Sequence, residues 1–503
     1  MKPTSVLILV FLSQATAFDV IREAFKLIDK NVNPCDNFYR HACPLHSTES
    51  LYIENAYEEK LFKVKAKNAD AVWNNLAIKE TFERAHFTEF PSLNVFIANM
   101  FRKQCEIENV TSEEKGKFLE LIQDTMFGQK NSECEYTECL GALAVDRNCT
   151  RASELLESKL LYRSFDNFTI PLERIFIRTK RNIEGINAIL DDDLRDGVSN
   201  VKNIVETMKK KLLTWIQQTP WVINNEAIES IMAEAEQVHH YDNFAKTLRY
   251  NLNILLKLEQ SYLKCMKDLD DTEDFRVFCV LAATSHLDYR KLRTDFFMYY
   301  NAMNGHPNLY FSHLFYDMAK NVESPAALLG SVGFIAGHEL SHSLIEDANQ
   351  PELIPYFSND SMQCIQNQYQ TTCDSFKETS CGANDNQIDE NGSDILGIQL
   401  AYSLFEDIYS ERKKDEYIQL RHNNTITNEQ LFFYSQAFVF CHGDPGEQDE
   451  ENPHSPMNIR VNAVVQHPGF RDAFNCDADS PMVQSFNDQC VIFGENAPQT
   501  RKK

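Results

Sequence analysis

The chain is 503 residues long, 43% hydrophobic and 24% charged, enough to bury a large core and to form two or more lobes. This composition excludes a largely disordered chain. A formal net charge of −25 disfavours nucleic acid and anionic membrane surfaces as partners.

In chain order, Lys2, an apolar run over 6–12 and the small residues Ala15, Thr16 and Ala17 predict a signal peptide over 1–17. The run is shorter than the about 20 residues of a membrane span, so a secreted, extracellular protein without a stable membrane span is expected. Fourteen cysteines in an exported chain predict disulfide bonds. Acceptor tripeptides at Asn109, Asn148, Asn167, Asn359, Asn391 and Asn423 fit a glycoprotein.

From 18 to 290 charged segments carry apolar residues at helical spacing, as in Ile204, Met208, Leu212 and Ile216, and predict a mainly helical N-terminal lobe. After about residue 290 the aromatic run FFMYYNAMNGHPNLYFSHLF reads as strand and turn, with helical patterning from Ala326. Residues 291–503 hold the chemically suggestive positions and are read as a catalytic domain.

The central motif is GHELSH. His338 and His342, four apart, lie one helical turn from each other, and both imidazoles can reach one ion. Glu339 stands where a carboxylate can take the proton of an activated water. Two core or surface histidines one turn apart are the plain alternative. A catalytic zinc needs a third protein ligand, and IDENGSDILGIQLAY offers Glu390, with Asp394 one turn on to orient a ligating histidine. An acidic helix start would show the same spacing, which alone does not separate the two readings.

GHELSH, ENGSD and HSPMNIRVN, in this order, resemble the neprilysin and endothelin-converting-enzyme family of zinc metallopeptidases, as do Asn301-Ala302, Cys490 three residues before Phe493, and NPCDNFYRHAC near the N-terminus. The resemblance implies a mainly α fold with a smaller α+β thermolysin-like catalytic lobe, the two lobes enclosing a cleft. It implies one Zn2+ per chain on His338, His342 and Glu390, with Glu339 as general base and Asp394 as histidine orienter. His454 would stabilise the oxyanion, Arg460 would bind a substrate carbonyl, and Asn301 and Ala302 would bind substrate backbone. It pairs Cys35 with Cys476, Cys43 with Cys441, Cys364 with Cys490, and Cys105 with Cys279, the first two tying the segment at about 30–45 to the catalytic lobe.

A secreted metalloendopeptidase acting on oligopeptides is therefore expected, with a catalytically idle peptide-binding homologue as the alternative. The departures lie around the substrate. Ile345 replaces an aspartate, Asn304 replaces an aromatic on the substrate strand, and Phe440 and Phe493 replace tryptophans. No arginine for a peptide's free carboxylate is evident near 51–55, and the helical lobe is short. Asn391, beside a predicted ligand, is expected to be buried rather than glycosylated.

Overall fold

A computed structural model describes residues 28–43, 76–77, 185–186, 189–190, 192–223, 228–267, 269, 272–285, 302–320, 324–345, 358–376, 387–413, 415–420, 424–441, 453–484 and 490–498. The predicted signal peptide and Asn301 lie outside them. The chain forms two compact units, one of 1–64, 188–242 and 299–503 and the other of 65–187 and 243–298. Residues 188–242, which the sequence groups with the N-terminal lobe, thus fold with the GHELSH segment. The described residues are mostly helical with small sheets.

Helix α1 (Phe38–Ala42) starts at Asn37, whose side chain accepts the Arg40 amide. Disulfides Cys35–Cys476 and Cys43–Cys441 flank it, as the family resemblance implies. Between them Phe38 is fully buried, edge-on to Phe470 at 4.8 Å. Bridging residues 441 and 398 positions apart restricts the unfolded chain by about 6 kcal/mol per bridge in the chain-entropy account.

Helix α2 (Arg195–Gln218) buries Val201, Ile204, Val205, Met208, Leu212 and Ile216, the stripe its periodicity predicts. Strand β1 (His239–His240) closes this part of the first unit.

In the second unit, α3 (Phe244–Met266) buries Phe244, Ile254, Leu255, Leu258, Tyr262 and Cys265 and packs against α4 (Glu273–Ser285). Cys279 bonds Cys265 across this pair, not Cys105 as expected. The hairpin of helices brings two cysteines 14 residues apart to bonding distance, a local closure that outcompetes a remote partner.

Back in the first unit, strands β2 (Ala302–Gly305) and β3 (Asn308–Phe311) form an antiparallel hairpin, with β1 parallel on the far side of β3. The end of the aromatic run is helical rather than extended: α5 (His313–Lys320) packs against α2. Beyond Ser324, which caps a short turn, a π-helical turn at Leu329–Gly333 leads into α6 (Phe334–Ile345), the GHELSH helix. Helix α7 (Asn359–Ser375) is capped by Ser358 and held by Cys364–Cys490, also as implied. Helix α8 (Ile388–Tyr409) carries ENGSD, α9 (Asn428–Phe440) opens on a Thr427–Gln430 capping box, and α10 (Met457–Val464) carries Arg460.

The crossing of α6 and α8 positions the site. Gly337 and Gly397 meet there: a Cβ on Gly397 would lie 2.7 Å from the His338 amide nitrogen, and one on Gly337 2.8 Å from the Gly397 carbonyl oxygen. Only backbones without side chains approach this closely. Gly397→Ala should therefore push the helices apart and cost about 1–3 kcal/mol of stability, read by chemical denaturation; an unchanged unfolding midpoint would contradict the close contact.

Candidate metal centre

Three side chains converge where α6 crosses the start of α8. His338 and His342 bring their Nε2 atoms to 3.0 Å. Glu390 Oε2 lies 3.2 Å from His338 Nε2, and Oε1 lies 3.7 Å from His342 Nε2. Among the described residues, His338, His342 and Glu390 are the group whose donor atoms could hold a metal ion. Ligand atoms about 2.0–2.1 Å from a tetrahedral zinc stand about 3.3 Å apart, and the three observed separations bracket that value. Glu390 Oε2 is also buried without an aligned hydrogen-bond donor, a cost that a bound cation would remove. The residues therefore fit a metal.

Electrostatics favour positive charge at this point. Burial would depress the His338 imidazole, but Asp394 and Glu390 outweigh it and raise its pKa to about 10. The carboxyl of Glu390 is held far below the usual range, its burial overcome by the surrounding imidazoles. A metal would compete with that imidazole proton for the same nitrogen. Glu339 is 6% exposed, and burial raises its pKa against the lowering effect of His338 and His342.

Asp394 backs the centre. Its Oδ1 lies 2.9 Å from His338 Nδ1, an ion-pair contact rather than an aligned hydrogen bond. Arg460 on α10 donates to it twice, from Nε and Nη2 at 2.8 Å each, and Tyr369 on α7 donates at 3.0 Å. Arg460, 4% exposed, lies 4.2 Å over the Phe440 ring. Despite complete burial, Asp394 stays well below the ordinary carboxylate range because of Arg460 and His338.

His454 Nε2 reaches Glu390 Oε2 at 3.2 Å, its side chain 38% exposed. Its backbone is set by contacts far apart in sequence: Gln387 donates to the His454 carbonyl, and Ser455 donates to Gln387 and, at 2.9 Å, to Asn391 Oδ1. Asn391 is buried, as expected. Ala302 lies buried on β2, which packs against α6; Asn301 lies outside the described residues. Thus the structure brings His338, Glu339, His342, Glu390, Asp394, His454 and Arg460 together.

Sequence reasoning does not find Ser393, whose Oγ is 3.3 Å from His342 Nδ1. Its signal lies in the spacing, since a residue next to Asp394 and three beyond Glu390 also faces the α6 crossing. Nor does it find Tyr369 or the Gln387–Ser455 pair, for which the local sequence carries no signal.

Two imidazoles and a carboxylate around one point, with a second carboxylate beside them and buried partners behind them, form a donor set that could hold a metal ion. Residues 299–490 match the family described as Peptidase family M13. The chain is 29% identical over 185 residues to Neprilysin-1 of Caenorhabditis elegans, covering 34% of this chain and 24% of the relative. It is 22% identical over 468 residues to Membrane metallo-endopeptidase-like 1 of Mus musculus, covering 83% and 58%, and 29% identical over 173 residues to Endothelin-converting enzyme 1 of Bos taurus, covering 32% and 22%. In these similarities the C-terminal part of the chain, residues 299–490, resembles the neprilysin and endothelin-converting-enzyme family of peptidases. The matches span from about a fifth to three fifths of those relatives' lengths. A chain of the Haemonchus galactose containing glycoprotein complex is similar in fold, with a TM-score of 0.52, 15% identity, and coverage of 93% of this chain and 97% of that one.

Ser393→Ala should lower zinc affinity about tenfold, read by competition with a chelating dye, while leaving the unfolding midpoint nearly unchanged. Asp394→Ala, which strands Arg460 without its partner, should instead cost about 3–5 kcal/mol of stability in denaturant titration.

Proposed function

We propose that this protein is a secreted zinc metalloendopeptidase that hydrolyses internal peptide bonds of oligopeptides. The convergence of His338, His342 and Glu390 at ligand-to-ligand distances, with Glu339 adjacent, carries the reading. Export is supported by the four disulfides described. No helix of the described residues is long and apolar enough to cross a membrane.

Zinc, when bound by the two histidines and Glu390, supplies Lewis-acid activation of water and of the scissile carbonyl. The protein residues move the protons. Glu339, buried and with a raised pKa, takes a proton from the attacking water and passes it to the leaving amine. Asp394 fixes the His338 tautomer so that Nε2 faces the ion. His454, partly exposed beside Glu390, donates to the oxygen on which negative charge develops. Arg460 commits Nε and Nη2 to Asp394, so its contact with a substrate carbonyl would come from Nη1. Ala302, with Asn301, binds the substrate backbone along β2. Without an arginine near 51–55 for a free carboxylate, internal cleavage is favoured over release of terminal dipeptides.

Asn304 and Ile345 motivate a second reading, a catalytically idle homologue that captures peptides. Zinc analysis and cleavage of a quenched peptide library, with and without chelator, separate the two. The expected result is about one zinc per chain, activity lost on chelation and restored by zinc, and a Glu339→Gln variant that keeps its metal while kcat falls by about 1,000-fold, within the roughly 100- to 10,000-fold that general acid–base catalysis contributes. Zinc binding without turnover in the unmodified protein would support the idle homologue. Turnover retained by Glu339→Gln would overturn the assignment of the base.

A further inference from the structure

Asn304 lies two positions beyond Ala302 on β2, so the strand's alternation puts both side chains on one face. The sequence reads Asn304 only as lost apolar lining, but its Nδ2 donates to the backbone carbonyl of Glu339 at 2.7 Å and to Ser343 Oγ at 2.6 Å. In an α-helix that carbonyl also receives the amide of residue 343. One residue of β2 therefore holds the main chain at Glu339 and the side chain of Ser343, one turn on.

The contact carries a cost. Asn304 is 8% exposed, and its Oδ1 is buried with no hydrogen-bond partner among the described residues. Reversing the amide would turn Oδ1 onto the Glu339 carbonyl oxygen, so the orientation is set. An unsatisfied buried acceptor is unfavourable, and an apolar residue of similar size would avoid it, so stability alone does not account for an asparagine here. Nor does substrate contact, because Oδ1 is closed off from solvent.

We propose that Asn304, with Ser343 as its partner, is a positioning residue that couples the substrate strand β2 to the base Glu339. Peptide seated along β2 would then meet a carboxylate whose place is set by the same strand, a pre-organisation of the kind that raises turnover rather than binding. The inference rests on the peptidase reading, with Glu339 as base.

Asn304→Leu removes the side-chain donor while keeping the branched shape and the backbone amide. The expected result is a kcat lowered about tenfold or more, KM and zinc content within about twofold of the unmodified protein, and amide hydrogen exchange over 339–345 accelerated severalfold. Ser343→Ala should shift both readouts in the same direction by less, and the double variant should be no worse than Asn304→Leu. Unchanged exchange, an effect confined to KM, or loss of zinc with general unfolding in both single variants would overturn the proposal. If the unmodified protein hydrolyses no peptide, exchange decides alone: acceleration upholds the coupling while the peptidase reading fails, and unchanged exchange overturns the coupling itself.

Discussion

Asp394 is a carboxylate with no solvent exposure, and it remains charged because Arg460 meets it with two nitrogens at 2.8 Å. A buried ion pair of this kind adds little net stability, yet losing one partner is severe because the other charge is left uncompensated. Its partners come from three elements besides its own α8: His338 from α6, Tyr369 from α7 and Arg460 from α10. Each must arrive before the charge is tolerable, so the pair makes the assembly of these helices close to all-or-none. The cation–π contact of Arg460 with Phe440 adds α9 to the same set.

That cluster requires α6 and α8 to run close together, which Gly337 and Gly397 permit. The two disulfides at α1 and Cys364–Cys490 at α7 hold the surrounding elements with covalent bonds. A large part of the chain thus supports a few ångströms of geometry. This division is expected of a site whose ligands come from separate helices and must be rigid before a metal arrives.

Residues on one helix were legible in the sequence, since a four-residue spacing is a statement about one face of one helix. His338 with His342 and Glu390 with Asp394 are found where that spacing predicts, as is the buried stripe of α2. What was not legible depends on separate elements meeting. The hold of Gln387 and Ser455 on His454 spans 67 and 68 residues, and Tyr369 reaches Asp394 from 25 residues away. Asn304 misleads for the same reason: its strand is local information, but its partner helix lies 35 residues on. The Cys265–Cys279 bridge shows the reverse error, where a distant partner was expected and the local hairpin of helices supplied a near one.

The outer shell is asymmetric. His338 is backed by a carboxylate, itself balanced by Arg460, whereas His342 is backed by the neutral Ser393 hydroxyl. With Asp394 and Arg460 cancelling, Glu390 and Glu339 bring two negative charges to the centre, which one divalent ion would neutralise. A carboxylate behind His342 as well would leave a net negative charge in a buried place, which is costly without a counter-charge. Ile345, three residues beyond His342, does not supply one. The neutral contacts of Ser393 and Asn304, one from α8 and one from β2, orient α6 without disturbing that balance, which is a physical reason for these positions to be uncharged while the ligands and the base keep their acidic and imidazole groups.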